Sequence, residues 1–297
     1  MQQSNYVIEC KNLTHYYGKK LVYENLNFCL PEGKIMGLLG KNGAGKSTTI
    51  NILNGFLQPR AGECLIFGEN SQHLSAETKK RIGYLIEGHV QYSFMNVHQI
   101  EKFYSGFYEN WDASAYWNLI NRLKILPHQK ISTMSCGQRA QVALGLILAQ
   151  DPDLLILDDF SLGLDPGYRR LFIDYMRDYC KTKKKTVFLT SHIIQDVEKL
   201  IDDVLIMDYN RVLFQGPVAD FMNSFHGYAF NCTQDNIDLK GPMIINVEHI
   251  NQHYEVYSYA SEDKIVEFLQ SKGINYQDFQ PMHLTLEDAF IGLTGRY

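Results

Sequence analysis

The segment from Met134 to Asp165 constrains the fold of this 297-residue chain more than any other segment. It begins with the turn-like sequence Met-Ser-Cys-Gly-Gln-Arg and continues with a run that has the pattern of a helix. It ends with Leu-Leu-Ile-Leu-Asp-Asp-Phe-Ser-Leu-Gly-Leu-Asp-Pro, in which an apolar strand pattern is closed by two acids. A Gly-Gln turn followed by such a strand indicates a nucleotide-binding protein of one particular architecture.

The composition is that of a globular protein without a basic surface field. Hydrophobic residues make up 45% and charged residues 21% of the chain, and the net charge of −5 argues against nucleic acid as a partner. The longest apolar run, 142–149, is far shorter than the ~18–20 residues that span a bilayer, so any membrane connection must come through a partner. The N-terminus lacks the pattern of a signal peptide, and the six cysteines form no Cys-x-x-Cys pair, which favours free thiols in a reducing cytosol.

Strand and helix patterns alternate along most of the chain, which is typical of a parallel sheet that is buried on both faces. Strands are predicted at 6–10, 22–30, 34–39, 64–67, 82–86, 154–158, 186–190 and 204–208. Helices are predicted at 46–57, 75–81, within 96–150, at 167–182 and at 193–200. Pro217 ends this pattern. A smaller piece follows, with strands near 228–232, 243–249 and 253–259, an extended run at 274–280, and helices at 262–272 and 286–293, the last opened by Thr285 and Asp288.

A glycine-rich loop follows the predicted strand at 34–39 and fits the pattern G-x-x-x-x-G-K-[ST]. Glycines allow the backbone amides to turn inward around phosphate oxygens, and a following helix adds its positive N-terminus. Lys46 is expected to neutralise the β- and γ-phosphates, and Ser47 to ligate Mg²⁺. The predicted ATP-binding residues of this loop are Gly40, Asn42, Gly43, Ala44, Gly45, Lys46, Ser47 and Thr48.

Polar residues at the ends of three other predicted strands complete a candidate site for ATP hydrolysis. Asp158 is expected to hold Mg²⁺, and Asp159 stands where a carboxylate can orient or deprotonate the attacking water. His192, after the strand at 186–190, is placed to donate a hydrogen bond to the γ-phosphate. Glu87, after the strand at 82–86, is placed to approach Mg²⁺ or the water.

These motifs and their order resemble the nucleotide-binding subunit of ABC transporters over roughly residues 5–225. Met134-Ser135-Cys136-Gly137-Gln138 is similar to the family's Leu-Ser-Gly-Gly-Gln signature, and Gly163-Leu164-Asp165 is similar to its D-loop. Tyr17 resembles the aromatic residue that stacks on adenine, with Tyr16 as the alternative.

The resemblance implies an α/β fold with a P-loop ATPase core, an antiparallel β-subdomain, an inserted helical subdomain and, in this chain, a small C-terminal α+β domain. The nucleotide-binding domain is expected at 1–225, with the helical subdomain at about 96–150, and the accessory domain at 226–297. The resemblance also implies an ATPase that uses ATP and Mg²⁺ and works as a head-to-tail dimer, with the signature of one subunit on the ATP of the other. The expected partners are a second nucleotide-binding subunit, in a homodimer or a heterodimer, and a membrane permease with about six transmembrane helices. The chain would then lie in the cytoplasm, peripheral on the inner face of the membrane.

The tail sequence at 286–295 resembles that of subunits from the drug, antibiotic and bacteriocin-immunity export branch, as does Glu87 where other branches carry Gln. This favours a subunit that drives export of an antibiotic, a peptide or a lipid-like substrate. Two alternatives stay open: a soluble ABC protein without a permease, and an ATP-gated regulatory or structural subunit with weak or no hydrolysis.

Two residues depart from the family pattern. Asp159 replaces the family's catalytic glutamate and is one methylene shorter, so hydrolysis is expected to be near normal, slow or almost absent, depending on how the backbone adapts. Phe160, where the family usually has Pro, favours a locally altered backbone. Cys136 replaces the first signature glycine and adds a side chain where the backbone approaches phosphate, as a tolerated small residue or as a redox-sensitive one.

The region 92–117 holds nine aromatic residues, including both tryptophans. Ile100, Phe103, Tyr104, Phe107 and Trp111 fall on one helical face, which favours core packing. In the family, this part of the chain receives the permease, so a docking surface is the alternative.

Overall fold

The computed structural model describes residues 6–85, 92–160, 164–234 and 237–295. The chain divides into two compact units, Met1–Gln215 and Gly216–Tyr297. The first unit contains two sheets and the second unit one, and each unit has its own apolar core. The domain boundary predicted after residue 225 stays a prediction.

The first unit contains ten strands and seven α-helices among its described residues. The strands are β1 (Tyr6–Tyr17), β2 (Lys20–Pro31), β3 (Ile35–Gly40), β4 (Ala61–Ile66), β5 (Glu69–Asn70), β6 (Ile82–Leu85), β7 (Leu154–Leu157), β8 (Thr186–Thr190), β9 (Asp203–Asp208) and β10 (Arg211–Pro217). The helices are α1 (Lys46–Leu53), α2 (Ala76–Lys80), α3 (Val97–Ser105), α4 (Ala113–Arg122), α5 (Cys136–Ala149), α6 (Pro166–Lys183) and α7 (Ile194–Glu198).

A six-stranded sheet in the order β10-β9-β3-β8-β7-β6 forms the centre of this unit. The pairs β9/β3, β3/β8, β8/β7 and β7/β6 are parallel. Every residue of β7 and β8 is buried, which explains why both strands are continuous apolar runs in the sequence. Because the strands are parallel, the residues that follow β3, β7 and β8 meet at one edge of the sheet.

A second, antiparallel sheet has the order β2-β1-β4-β5. Strand β1 continues to Tyr17, seven residues beyond the predicted end at Cys10, because its pairing with β2 shifts register between Cys10 and Leu13. The shift breaks the alternation of buried and exposed side chains that a regular strand would show. The predicted α/β class with an added antiparallel sheet is confirmed.

Helices α3, α4 and α5 lie within the predicted helical region. The Asn96 side chain caps α3 and the Asp112 side chain caps α4 by accepting hydrogen bonds from backbone N–H groups in the first turns. The buried Tyr116 of α4 donates to the Val97 carbonyl at 2.9 Å. A Cβ atom at Gly145 of α5 would lie only 2.9 Å from the Tyr116 ring, so this glycine lets α4 and α5 pack closely. Helix α1 ends at Leu53 rather than at the predicted residue 57. Two residues after this end, Gly55 takes a φ of +70°, which a helix does not allow.

The second unit contains a four-stranded antiparallel sheet in the order β12-β13-β11-β14. The elements that follow β10 are α8 (Val218–Ser224), β11 (His226–Cys232), β12 (Ile244–Ile250), β13 (His253–Ser258), α9 (Glu262–Ser271), β14 (Tyr276–Met282) and α10 (Leu286–Thr294). Helix α10 has the predicted capping box, in which Thr285 accepts from the Asp288 N–H at 3.2 Å and donates its own N–H to the Asp288 carboxylate at 3.0 Å.

Within the described residues of the whole chain, none of the helices combines the length and the apolar character that crossing a membrane requires.

Candidate nucleotide site

The glycine-rich loop runs from the end of β3 to the start of α1. Gly43 and Gly45 take φ angles of +85° and +102°, which side chains rarely adopt. A Cβ at Gly45 would also lie 2.8 Å from the Tyr23 ring. Ala44 is buried against the core, whereas Asn42 and Gly43 are exposed. The loop therefore presents its backbone outward at the N-terminus of α1, which is the geometry that binds phosphate.

Lys46 folds back over this loop. Its Nζ donates to the carbonyl oxygens of Gly40 at 2.6 Å and Lys41 at 3.2 Å. Burial lowers the pKa of Lys46, and the nearby carboxylates of Asp159 and Asp158 oppose this effect. A phosphate group at the loop would give this partly buried ammonium an anionic partner.

A cavity of about 260 Å³ opens above the loop. It brings together the loop, both acids, Tyr17 and His192 from separate elements. The ring of Tyr17 is half exposed, and its hydroxyl lies 3.4 Å from the Thr48 Oγ1. Tyr16 is not among the described residues that line the cavity. The lining residues are Tyr17, Lys20, Val22, Asn42, Gly43, Gly45, Lys46, Ser47, Thr48, Asp158, Asp159, Thr190, Ser191 and His192.

The two acids after β7 are buried and differ in their surroundings. The Asp158 carboxylate accepts a hydrogen bond from the Thr190 Oγ1 at 2.8 Å. The Asp159 backbone is left-handed, with a φ of +44°, and its N–H donates to the same Thr190 oxygen at 2.9 Å. Asp is one of the few residues besides Gly that tolerate this conformation.

Asp159 and His192, to which the sequence assigns separate roles, are neighbours in the structure. The His192 N–H donates to the Asp159 Oδ1 at 3.3 Å, and the His192 Nε2 lies 3.4 Å from the Asp159 Oδ2. That Oδ2 is buried and has no hydrogen-bond partner among the described residues. A buried acceptor without a donor is costly, so a water molecule or another donor in the cavity would be bound here.

Ser47 and Asp158 supply a hydroxyl and a carboxylate to the same cavity. Mg²⁺ prefers oxygen ligands of these kinds and commonly takes one or two carboxylates together with substrate phosphates. The donor set present therefore fits Mg²⁺. Glu87, the third residue predicted to approach the metal, lies outside the described residues, as does Gly163 of the D-loop segment.

The signature residues lie at the start of α5, and none of the described residues that line the cavity comes from 135–138. Ser135 is the N-cap: its Oγ accepts from the Gln138 N–H at 3.2 Å, and the Gln138 side chain accepts from the Ser135 N–H at 3.1 Å. Cys136 is exposed in the first turn, and Gly137 is buried. Asp165 caps α6 by accepting from the Tyr168 N–H at 3.0 Å. The signature residues thus stand at the N-terminus of α5 and Asp165 at that of α6, and neither helix is the one that follows the phosphate loop.

Thr190 is the residue of the site that motif reasoning leaves without a role. It belongs to the apolar strand β8, and nothing in the local sequence distinguishes it from a buried strand residue. The pairing of β7 with β8, in which Leu157 is opposite Leu189, is what places it beside both acids. A prediction of sheet order could have found it.

A family model described as "ABC transporter" matches residues 23–161. An uncharacterized ABC transporter ATP-binding protein of Methanocaldococcus jannaschii is 34% identical over 72% of this chain and 78% of its own length. The linearmycin resistance ATP-binding protein of Bacillus subtilis is 28% identical over 98% of this chain and 99% of its own length. The bacitracin transport ATP-binding protein of Bacillus licheniformis is also 28% identical, over 97% of both chains.

A solved structure described as the ATP-binding subunit of an ABC transporter has the same fold. It superposes with a TM-score of 0.64 and 26% identity over 73% of this chain and 92% of its own. About three quarters of the present chain thus has the fold of a known ABC transporter ATP-binding subunit.

Proposed function

The chain belongs to the family of ABC transporter ATP-binding proteins, and we propose that it couples ATP binding and hydrolysis to the export of a substrate through a separate membrane permease. The observation that carries this proposal is the cavity of about 260 Å³ in which the phosphate loop, two acids and His192 meet. The other steps below build on that site.

In this proposal, the loop amides at the start of α1 and the Lys46 ammonium bind the phosphates of ATP. The half-exposed ring of Tyr17, at the mouth of the same cavity, stacks on the adenine. Ser47 and Asp158 hold Mg²⁺. The metal neutralises charge that develops on the phosphate oxygens.

Asp159 is the group that orients the attacking water, and its Oδ2, which accepts no hydrogen bond from the described residues, is the atom that accepts the water's hydrogen bond. His192, held by its N–H to the Asp159 Oδ1, supplies a donor toward the γ-phosphate. Because the Asp159 side chain is one methylene shorter than glutamate and is buried, the water is held less well than in a site that carries glutamate. We therefore propose slow hydrolysis rather than its loss.

In this proposal the chain works as a dimer, because the phosphate loop and the signature at the start of α5 are separate in one subunit. Ser135 uses its oxygen as an acceptor in the cap of α5, and its hydroxyl hydrogen is not used in that bond. It can donate to the γ-phosphate of an ATP held by the loop of a second subunit, together with the Gly137 amide at the same helix N-terminus. Cys136 stands exposed at this contact. A second nucleotide-binding subunit is thus a required partner in this proposal.

An exposed aromatic patch on the first unit is proposed to receive the permease. Its members are Tyr92, Phe94, Phe103 and Phe107, which are 45%, 70%, 37% and 63% exposed. Ring centroids lie 5.1 Å apart for Tyr92 and Phe103 and for Phe103 and Phe107, so the patch is contiguous. Core packing, which the helical periodicity favours, is wrong for Phe103 and Phe107. Aromatic residues of this kind often anchor a protein interface.

Replacing Phe103 and Phe107 together by Ser is expected to abolish binding to the permease while leaving ATP binding intact. Anchor residues of an interface each contribute about 2 kcal/mol or more, so additive losses at two of them lower the affinity by roughly 700-fold. The measurement is co-purification with a co-expressed candidate permease, together with ATPase activity of the isolated subunit.

Tyr209→Ser is the matched control, because Tyr209 is 55% exposed and lies outside the patch, in the segment between β9 and β10. Full binding of the permease by the Phe103→Ser, Phe107→Ser variant would remove the patch as the docking surface. Failure of the wild-type chain to bind any such permease would favour a soluble ABC protein instead.

The relatives named for linearmycin resistance and bacitracin transport align with this chain along nearly its whole length, including the second unit. This supports an antibiotic, a peptide or a lipid-like molecule as the exported substrate. It also supports a place on the inner face of the cell membrane, where the permease would hold the subunit. Transport of such compounds by vesicles that contain the chain and the permease is the test.

A further inference from the structure

Thr190 connects the two acids of the site through a single oxygen atom. Its Oγ1 accepts from the Asp159 N–H at 2.9 Å and donates to the Asp158 Oδ1 at 2.8 Å. The side chain is only 3% exposed, so water does not replace these bonds readily. Only a hydroxyl can accept from one neighbour and donate to the other at the same atom.

Each of the two bonds restrains a different property of the site. The bond to Asp158 fixes the direction of the carboxylate that would hold Mg²⁺, and carboxylate ligands depend on such partners for their affinity. The bond from the Asp159 N–H restrains the left-handed backbone of Asp159. The backbone conformation in turn determines the direction of the Asp159 carboxylate. Metal position and water position are therefore coupled through one side chain.

We propose that Thr190 is the positioning residue for both acids, an inference that rests on the proposed ATPase function. Removing its hydroxyl removes the hydrogen bond that the Asp158 Oδ1 accepts from it and the acceptor of the Asp159 N–H. In the proposed site, the adenine and the phosphates of ATP are bound by Tyr17 and the phosphate loop and not by the Thr190 Oγ1. We therefore expect ATP affinity to be retained.

The experiment compares Thr190→Val, which keeps the branched shape, with Thr190→Ser, which keeps the hydroxyl. Mn²⁺ serves as the probe for the metal, and its affinity is measured by electron paramagnetic resonance with a nonhydrolysable ATP analogue. Thr190→Val is expected to weaken Mn²⁺ binding and to lower kcat by about 10- to 100-fold each, with KM for ATP changed less than about threefold. Thr190→Ser is expected to restore both toward the wild-type values.

Wild-type Mn²⁺ affinity and kcat in Thr190→Val would overturn the inference, and so would equal losses in Thr190→Ser. Thermal unfolding of each variant shows whether it is folded, and Thr190→Ala replaces Thr190→Val if the latter is not. A wild-type chain that binds no ATP would instead contradict the proposed function itself.

A second site is carried by a different observation. Cys10 of β1 and Cys64 of β4 are directly opposite each other in the antiparallel pairing, and their Sγ atoms lie 2.6 Å apart. Opposite residues in such a pair have the Cα separation that a disulfide requires. Both thiols are free and buried, at 2% and 1% exposed.

We infer that Cys10 and Cys64 are a site of reversible disulfide formation. With a small-molecule disulfide such as oxidised glutathione, the Cys10–Cys64 bond forms as the oxidant's sulfur–sulfur bond breaks. The oxidant takes up two electrons and the two thiol protons and leaves as two thiols. The bond would close a loop from residue 10 to residue 64 that contains β2, β3, the phosphate loop and α1.

Burial raises the pKa of Cys10 well above its usual value and shields both sulfurs, so the exchange requires local opening and is slow. Treatment of the full chain with oxidised glutathione is expected to modify the exposed Cys136 within minutes and to link Cys10 to Cys64 over hours. The linked protein is expected to unfold about 5–15 °C higher, reversibly with dithiothreitol.

Mass spectrometry of proteolytic fragments identifies the link. Cys10→Ser and Cys64→Ser are expected to lose both the linked fragment and the Tm shift, whereas Cys180→Ser, which removes another buried thiol, keeps them. The absence of a linked fragment after complete modification of Cys136 would overturn the inference, as would a link that dithiothreitol does not reverse.

Discussion

Replacing Lys46 by Met is expected to lower ATPase activity by about a hundredfold to a thousandfold, the range found when one charge-stabilising group of an active site is removed. The side chain of Lys46 folds back over the phosphate loop, and its Nζ donates to the Gly40 carbonyl at 2.6 Å. Met has a similar length and no charge, so the loop keeps its shape and loses its electrostatic contact with the phosphates. ATP affinity should fall as well, because the ammonium attracts the phosphates before reaction.

Two measurements check this expectation: steady-state ATPase activity and equilibrium binding of a fluorescent ATP analogue. Lys19→Met is the matched control, because Lys19 is exposed and does not line the cavity. Equal activities of Lys46→Met and wild type would show that any hydrolysis observed comes from elsewhere. Thermal unfolding should be nearly the same for all three proteins, since Lys46 contributes no apolar packing to the core.

The phosphate loop and the acids could be located from the sequence because each is written in consecutive residues. A short apolar strand followed by glycines, or by two acids, defines its own local geometry. Parallel pairing of β3, β8 and β7 then brings the loop, the acids and His192 to one edge. The order of the strands within the sheet was not predicted and comes from the structure.

Other features depend on distant parts of the chain and could not be predicted from local sequence patterns. The bond between Thr190 and Asp159 joins residues 31 positions apart, and the contact of Cys10 with Cys64 joins residues 54 positions apart. Each requires the pairing register, which periodicity does not give.

The aromatic residues in α3 and in the turn after it show a different limit. Spacing at i, i+3, i+4 and i+7 identifies an apolar face, but not what covers that face. Ile100 is covered by the chain's own core, whereas Phe103 and Phe107, on the same predicted face, are exposed. An apolar face that its own chain leaves open is better explained by a partner than by the helix itself.

Asp159→Asn is expected to remove most of the turnover, at least about a hundredfold, and to leave ATP binding unchanged. The amide has the shape of the carboxylate and still accepts the His192 N–H, but it is far less basic at the buried Oδ2 position. An intact binding isotherm together with lost hydrolysis would place the defect in the chemical step. Hydrolysis at the wild-type rate in Asp159→Asn would contradict the role given to Asp159.

Asp159→Glu separates the two explanations for a slow site. If the rate is limited only by the length of the side chain, the added methylene should bring the carboxylate closer to the water and raise kcat about tenfold. This gain is part of the ~100-fold that a 1 Å misplacement of a catalytic group can cost. We expect this increase, because the Asp159 Oδ2 accepts no hydrogen bond from the described residues and Asp159 lines the cavity. A lower kcat would mean that the backbone at this position already places the shorter aspartate side chain correctly. The left-handed conformation of Asp159 and the buried Phe160 after it would be the cause. Single-turnover hydrolysis in both variants and wild type distinguishes these outcomes, since it measures the chemical step without product release.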